Sequence, residues 1–443
     1  MKKLFFSSFV VNLFILVINF ITGILSARFL GPTGRGEMVI ISQWLLLLNG
    51  LCAFGLPGAI VYMGKTLSKE REYFLGAYLI IGPLAGLLGL ITGELLLPFL
   101  LKGYSENVLI LLRIMLITLP FTVLSDGIIG NLQTLNEFKK IMMFKFGLPL
   151  GSLIIISVLI MFDIYTVNNF IVSYYIWNLI ILAILFGMLI RVIKPKFKLV
   201  YQYAQILLKK GIQIFGTVIV GVFSGGLDQI VISMLLSSYV LGLYSVAASI
   251  GTIIPSLLIG SLSIYFWPRL MDLEEVERAR QVEKVHSFLF YGSMLICLFG
   301  SVVTYFMLPV MYGKEFISSV PMAIALLIIA PFKVAHSILV SYMNTLGEFN
   351  RITIAEIIGL ATGILVLYII LPFSGILGAP LGVVVSSLVK WCLISYWSCK
   401  KGIKLSKMMI IQPQLVQMAL HPIATVKSVN IFNRKKQQAK EFS

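Results

Sequence analysis

Apolar residues follow one another along this 443-residue chain in runs too long for the strands or amphipathic helices of a water-soluble domain. Each run holds about 20 residues, enough to cross ~30 Å of hydrocarbon as a helix. Short polar or basic stretches separate them. The pattern predicts an all-α polytopic membrane protein with about twelve transmembrane helices, near residues 4–25, 39–63, 74–99, 108–130, 141–161, 169–190, 212–236, 240–266, 287–310, 318–342, 352–372 and 376–398.

A gapless repeat divides the spans into two sets of six. PFTVLSDGIIGNLQTLNEFKKI begins at Pro120 in the fourth predicted span, and PFKVAHSILVSYMNTLGEFNRI begins at Pro331 in the tenth. Six is an even number, so both copies enter the membrane in the same direction. Parallel repeats of this kind place two bundles around an axis along the membrane normal, with a cavity between them. We expect two parallel six-helix halves around a central cavity.

The repeat also fixes the expected domain limits. The predicted divisions are an N-terminal half, a basic linker, a C-terminal half and a basic tail with the character of an interfacial segment. Proline in mid-span removes a backbone hydrogen bond and kinks the helix. Pro120 and Pro331 therefore predict two bent helices at the cavity, although tolerated kinks without a role are an equally open interpretation. In chain order, the N-terminal half, the linker, the C-terminal half and the tail are residues 1–191, 192–210, 211–398 and 399–443.

Charge distribution indicates topology rather than nucleic-acid binding. The net charge is +17, yet charged residues are only 12% of the chain, whereas a soluble domain has roughly 25%. With a cytoplasmic N-terminus, 27 of the 35 Lys and Arg lie on the cytoplasmic side, as the positive-inside rule requires when both termini are cytoplasmic. The basic loops then attract anionic membrane lipids. Eight of the 35 Lys and Arg are not on the cytoplasmic side. They are Arg28, Arg35, Lys102 and Lys314 outside, and Arg113, Lys145, Lys333 and Lys390 within spans.

Nothing in the loops predicts an enzyme. No loop is much longer than about 20 residues, and none offers paired carboxylates or a Ser/His/Asp set. The stretch from Gly58 to Thr66 resembles a phosphate loop, but five residues separate its glycines instead of four, and it follows a membrane helix where a strand is required. We expect no catalytic residues, cofactor, metal site or nucleic-acid partner.

The turn after the first span carries the clearest motif. At SARFLGPTGRGEMVIISQW the chain resembles the polysaccharide-repeat flippases of the multidrug/oligosaccharidyl-lipid/polysaccharide exporter superfamily, the Wzx-type and teichuronic-acid-type translocases. A weaker likeness follows in the second half, where Asp228 precedes an apolar run and the Gly242-Leu-Tyr244 turn. Both segments predict a short outer turn ending in glycine. The residues of the first motif are Arg28, Gly31, Pro32, Gly34, Arg35 and Gly36.

The resemblance implies a MATE-like fold and a transport function. Such a protein flips an undecaprenyl-pyrophosphate-linked oligosaccharide across the bacterial cytoplasmic membrane by alternating access, for cell-surface polysaccharide synthesis. It also implies coupling to H+ or Na+ and a polysaccharide polymerase as a possible partner. An ion-coupled drug or small-molecule exporter of the same superfamily is the alternative. The major facilitator pattern is disfavoured, because the loop GKTLSKEREYF lacks its acidic-basic-glycine core.

Ionisable residues inside spans are costly and so are candidate site residues. Lys333, Arg113, Lys145 and His336 are expected to bind substrate in the cavity, with snorkelling to the interface as the plainer explanation for the basic chains. Lys145 and Glu356 occupy equivalent repeat positions and could pair across the axis when the inner side is closed. Asp228 and Glu356 are candidates for coupling-ion binding or gating, and Asp228 could equally serve packing. Asp126 and Glu94 are expected to be solvated near span ends.

Overall fold

Every regular element that the computed structural model describes, over residues 2–101, 103–271 and 273–410, is a helix. Lys102 and the tail beyond residue 410, which carry sequence-based expectations, lie outside these ranges. The α-helices are α1 (Lys2–Cys52), α2 (Leu56–Thr66), α3 (Arg71–Leu100), α4 (Glu106–Leu116), α5 (Leu119–Thr134), α6 (Phe138–Met161), α7 (Val167–Ile190), α8 (Val200–Leu235), α9 (Ser238–Met271), α10 (Glu275–Tyr312), α11 (Ser319–Thr345), α12 (Phe349–Ser374), α13 (Ala379–Lys400) and α14 (Leu405–Met408).

The helices account for the predicted spans. Within the described ranges, nine helices are long and apolar enough to cross a membrane, and a tenth span is formed by α4 and α5, which meet at a 43° bend. The 51 residues of α1 would extend about 76 Å, more than twice the hydrocarbon thickness, so its two arms count separately. With the 36-residue α8, all twelve predicted spans have a helical counterpart.

A glycine divides α1 into its two arms. Gly31 has φ 65°, a left-handed value that side chains with a Cβ rarely adopt, and ψ −177°. Pro32 then begins the second arm, at a position where a helix needs no N–H donor. Gly34 and Gly36 lie inside that arm. The short turn expected over this motif is thus confined to a single left-handed residue, which redirects the chain between the two arms.

Extensive packing between α1 and α9 closes one end of the molecule. A Cβ on Gly36 would overlap the carbonyl oxygen of Ser238, and one on Gly242 would overlap that of Pro32. The hydroxyl of Ser319 in α11 donates to the Leu243 carbonyl oxygen at 2.8 Å, which fixes α9 from its other side. We call this the closed end.

The two prolines of the repeat differ in their effect. Pro120 lies in the first turn of α5, directly after the bend between α4 and α5. Pro331 is buried within α11, which runs as one helix from Ser319 to Thr345. The helix α8, at the start of the predicted C-terminal half, packs against α1, α2 and α3 as well as α12. It therefore bridges the two sets of helices.

Candidate functional site

Two cavities open inside the helical bundle, one in each set of helices. The C-terminal cavity has about 340 Å³ and is lined by α8, α9, α11, α12 and α13, with the charged residues Asp228, Lys333, His336, Glu356 and Lys390 on its wall. The N-terminal cavity has about 600 Å³ and is lined mainly by α1, α5 and α7. Gln229 of α8 lines both, so the cavities meet at this residue.

An ion cluster forms one wall of the C-terminal cavity. The Lys390 ammonium of α13 lies 2.7 Å from a carboxylate oxygen of Glu356 on α12. The other carboxylate oxygen lies 3.6 Å from Nε2 of His336 on α11. All three side chains are about 14% exposed, so the pair is shielded from solvent. Close packing of α12 on α13 brings the carboxylate and the ammonium together, because a Cβ on Gly359 would overlap the Lys390 side chain.

Asp228 and Lys333 add a second carboxylate and a second ammonium group to the wall of the C-terminal cavity. The hydroxyl of the fully buried Tyr244 donates a short hydrogen bond to the Asp228 carboxylate. The α8 backbone leaves the helical conformation at Gly226, two residues earlier, with φ −170° and ψ 16°. Lys333 is half-buried, one turn before His336 on α11, and lines the cavity together with Asp228 and Lys390. This wall therefore offers an ammonium group together with a carboxylate.

The N-terminal cavity contains two polar clusters separated along α1. Arg35 donates from Nη1 to the Ser26 hydroxyl across the break in α1, at 2.8 Å. Asn49 lies fourteen residues further on, about 21 Å along the helix. It donates from Nδ2 to Asp126 at 2.9 Å, and its Oδ1 accepts from the Thr122 hydroxyl at 3.0 Å. The cavity is thus cationic at one end and anionic at the other.

Four of the candidate residues line the C-terminal cavity, and two line neither cavity. Lys333, His336 and Glu356 share the C-terminal cavity with Asp228. Arg113 instead pairs with Glu94 at 3.4 Å, and both side chains are substantially exposed. Lys145 has an exposed side chain on α6. In this conformation α13 packs directly on α12 and supplies Lys390 to the Glu356 carboxylate, and the pairing of Lys145 with Glu356 on closure of the inner side stays a prediction.

Two further residues lie in surroundings that differ from those their sequence positions predict. Arg35, expected in an aqueous outer turn, lines the N-terminal cavity, because the second arm of α1 begins before it. Asp126, expected to be solvated near a span end, lies on α5 in the cavity wall. Arg28, by contrast, is exposed. Lys390 and Asn49 were not singled out as site residues. The seven-residue spacing of Arg35, Ser42 and Asn49 places all three on one helix face, and this pattern indicates Asn49 as a site residue.

Solved structures with the same fold are flippases and exporters. A lipid II flippase MurJ in an inward closed conformation matches with a TM-score of 0.76 at 16% identity, covering 94% of this chain and 92% of that one. An inward-facing multidrug resistance MATE family transporter of the MOP superfamily matches with a TM-score of 0.65 at 14% identity, covering 89% of this chain and 98% of that one. The MATE transporter VcmN of Vibrio cholerae, in its bent form, matches with a TM-score of 0.60 at 15% identity, covering 90% of this chain and 96% of that one. No curated protein matches significantly.

Two six-helix sets around internal cavities thus give this chain the fold of these MOP superfamily structures. The family model for polysaccharide biosynthesis proteins matches residues 1–274, more than half of the chain. The protein belongs to this polysaccharide biosynthesis family, as the motif around Gly31 predicted.

Proposed function

We propose that this protein flips an undecaprenyl-pyrophosphate-linked oligosaccharide across the bacterial cytoplasmic membrane, from the inner to the outer leaflet, for the synthesis of a cell-surface polysaccharide. The observation that carries the proposal is an internal cavity with two lysines and a histidine on its wall, beside the carboxylates of Asp228 and Glu356. Lys333, Lys390 and His336 lie together there, in a chain of the polysaccharide biosynthesis family. A pyrophosphate must leave water as the head group crosses, and lysine ammonium groups are suitable donors for it.

The closed end supports alternating access. Gly36 and Gly242 allow α1 and α9 to pack without side chains between them, so this end can seal as the opposite end receives substrate. We infer that the closed end faces outward and that both termini are cytoplasmic, because the basic loops lie at the opposite end of the spans. A cation bound at Asp228 or at Glu356 would supply the coupling to H+ or Na+. A polysaccharide polymerase would then receive the transported lipid.

Deleting the gene in its host tests the proposal. We expect lipid-linked saccharide to accumulate on the inner leaflet, with the corresponding surface polysaccharide lost and both restored by the wild-type gene. Unchanged surface polysaccharide in a clean deletion would contradict it. Glycan analysis of the accumulated lipid would also identify the transported saccharide.

Export of cationic drugs is the second candidate function. It is favoured by the carboxylates of Asp126 and Asp228 in the two cavities and by the fold shared with a multidrug resistance MATE transporter. Overexpression would then raise resistance to cationic amphipathic compounds without changing lipid-linked intermediates. We favour the flippase, because buried lysines repel a cationic substrate.

A further inference from the structure

A carboxylate lies in the N-terminal cavity without a cation beside it. Asp126 accepts a hydrogen bond from the Asn49 side chain at 2.9 Å, and within the described ranges no Lys, Arg or His nitrogen lies within 4.0 Å of it. An ionisable group at membrane depth is costly and marks a functional site by default. Asn49 is itself held in place by the Thr122 hydroxyl at 3.0 Å. The three side chains form an ordered polar cluster on the cavity wall.

Two serine hydroxyls on the same cavity wall add hydrogen-bond acceptors to this cluster. The hydroxyl of Ser42 donates to the Val39 carbonyl oxygen at 3.0 Å, and that of Ser125 donates to the Thr122 carbonyl oxygen at 2.8 Å. Both protons are therefore directed to the helix backbone, which leaves oxygen lone pairs for the cavity. An ionised carboxylate is an acceptor only. A ligand that fits this surface must bring several donors of its own.

A phosphate group is unsuited to such a wall, because it carries negative charge and accepts hydrogen bonds. Sugar rings meet the requirement for donors, since each of their hydroxyl groups can donate a hydrogen bond. The same cavity contains the partly exposed ring of Tyr174, stacked on the buried ring of Phe170 with centroids 5.7 Å apart, and the C–H face of a sugar can pack against Tyr174. Its volume of about 600 Å³ lies within the roughly 300–1,000 Å³ of small-molecule sites.

We propose that Asn49, Thr122 and Asp126 form a subsite for neutral sugar rings of the transported lipid, in which neighbouring hydroxyl groups of a hexose donate to the Asp126 carboxylate. This inference rests on the proposed function and divides the head group between the two cavities. The saccharide occupies the N-terminal cavity, and the pyrophosphate binds at Lys333 and Lys390 in the C-terminal one. Gln229 lies at the junction between them.

The test compares two probes that differ only in their sugar. Purified full-length protein in detergent is titrated with farnesyl pyrophosphate and with the same lipid pyrophosphate carrying a galactosyl-glucose disaccharide. We expect wild type to bind the glycosylated probe about tenfold more tightly than the bare one. Asp126→Ala and Asn49→Ala should lose this preference while binding the bare probe as wild type does. Asp126→Asn, which keeps one acceptor oxygen and the side-chain shape, should retain about a threefold preference.

Glu94→Ala is the matched control, because Glu94 is also a carboxylate within the N-terminal helices but lines neither cavity. It should keep the full preference. An Asp126→Ala protein that still prefers the glycosylated probe tenfold would overturn the subsite and leave the flippase proposal standing. If Asp126→Ala weakens the binding of both probes equally, Asp126 only joins α1 to α5, and the sugar subsite is overturned as well. Wild type that binds neither probe would overturn both proposals.

Discussion

Gly36 of α1 and Gly242 of α9 lie against each other across the closed end, each beside the backbone of the opposite helix. A Cβ at either position would meet a carbonyl oxygen, which cannot move aside as the end of a flexible side chain could. Glycine at both positions therefore lets two long helices seal this end by backbone contact. Any transport cycle that opens the closed end must separate these two residues.

Alanine at this contact should destabilise the observed conformation. Gly242→Ala is expected to lower the free energy of unfolding by roughly 1–3 kcal/mol, the usual cost of overpacking, despite the better helix propensity of alanine. Thermal unfolding of the purified protein measures the change. Gly187→Ala is the control, since a Cβ on Gly187 in α7 has nothing within 4 Å. A Gly242→Ala protein as stable as Gly187→Ala would show that the helices adjust freely.

Lys333 provides the sharpest test of the basic cavity. Lys333→Ala should abolish polysaccharide export with protein level and insertion intact, and Lys333→Arg should keep part of it. Lys333→Glu should be worse than alanine, because it adds repulsion to the lost contact. Export is measured as surface polysaccharide in a complemented deletion strain. Arg113→Ala is the control, since Arg113 pairs with Glu94 outside both cavities. Unchanged export by Lys333→Glu would show that Lys333 does not contact substrate.

The Lys390–Glu356 pair should behave as a unit. Lys390→Met leaves a shielded carboxylate without its ammonium partner, a change that typically costs about 3–5 kcal/mol. Adding Glu356→Gln should recover most of the lost stability, because the unpaired charge is then removed. Unfolding temperatures of the two single variants and the double variant form the required cycle. Additive losses in the double variant would contradict direct coupling.

Sequence periodicity predicted the helices well because each span must satisfy its backbone hydrogen bonds internally. The repeat between Pro120 and Pro331 likewise predicted the two parallel sets. Partners of charged groups could not be predicted in this way. Glu356 could have met Lys145 or Lys390, and in this conformation only the packing of α12 on α13 decides between them. Arg35 was misplaced because one residue, Gly31, ends the first arm and lets the next begin at once.

The segment after α13 should loosen in acid. Lys401 lies 2.5 Å from Glu348 in the loop before α12, and its hydrogen bond lowers the pKa of that carboxyl group below its ordinary value of 4.5. The contact is therefore fully present above pH 4.5 and is lost as the pH falls through the lowered pKa. A spin label on Ser406→Cys, with Cys392 and Cys399 replaced by serine, should gain mobility in that range. Glu348→Gln should show the higher mobility already at pH 7, and a label insensitive to both changes would contradict the contact.

Translocation by the purified protein tests the flippase function most directly. The protein is reconstituted into liposomes that contain a polyprenyl-pyrophosphate-linked oligosaccharide with a fluorophore on its sugar, and dithionite quenches the probe exposed on the outer leaflet. We predict that wild type makes nearly all of the probe accessible, whereas Lys333→Ala and protein-free liposomes leave the inner-leaflet half protected. Protection of that half by wild type, in both the presence and the absence of a proton or sodium gradient, would contradict the account.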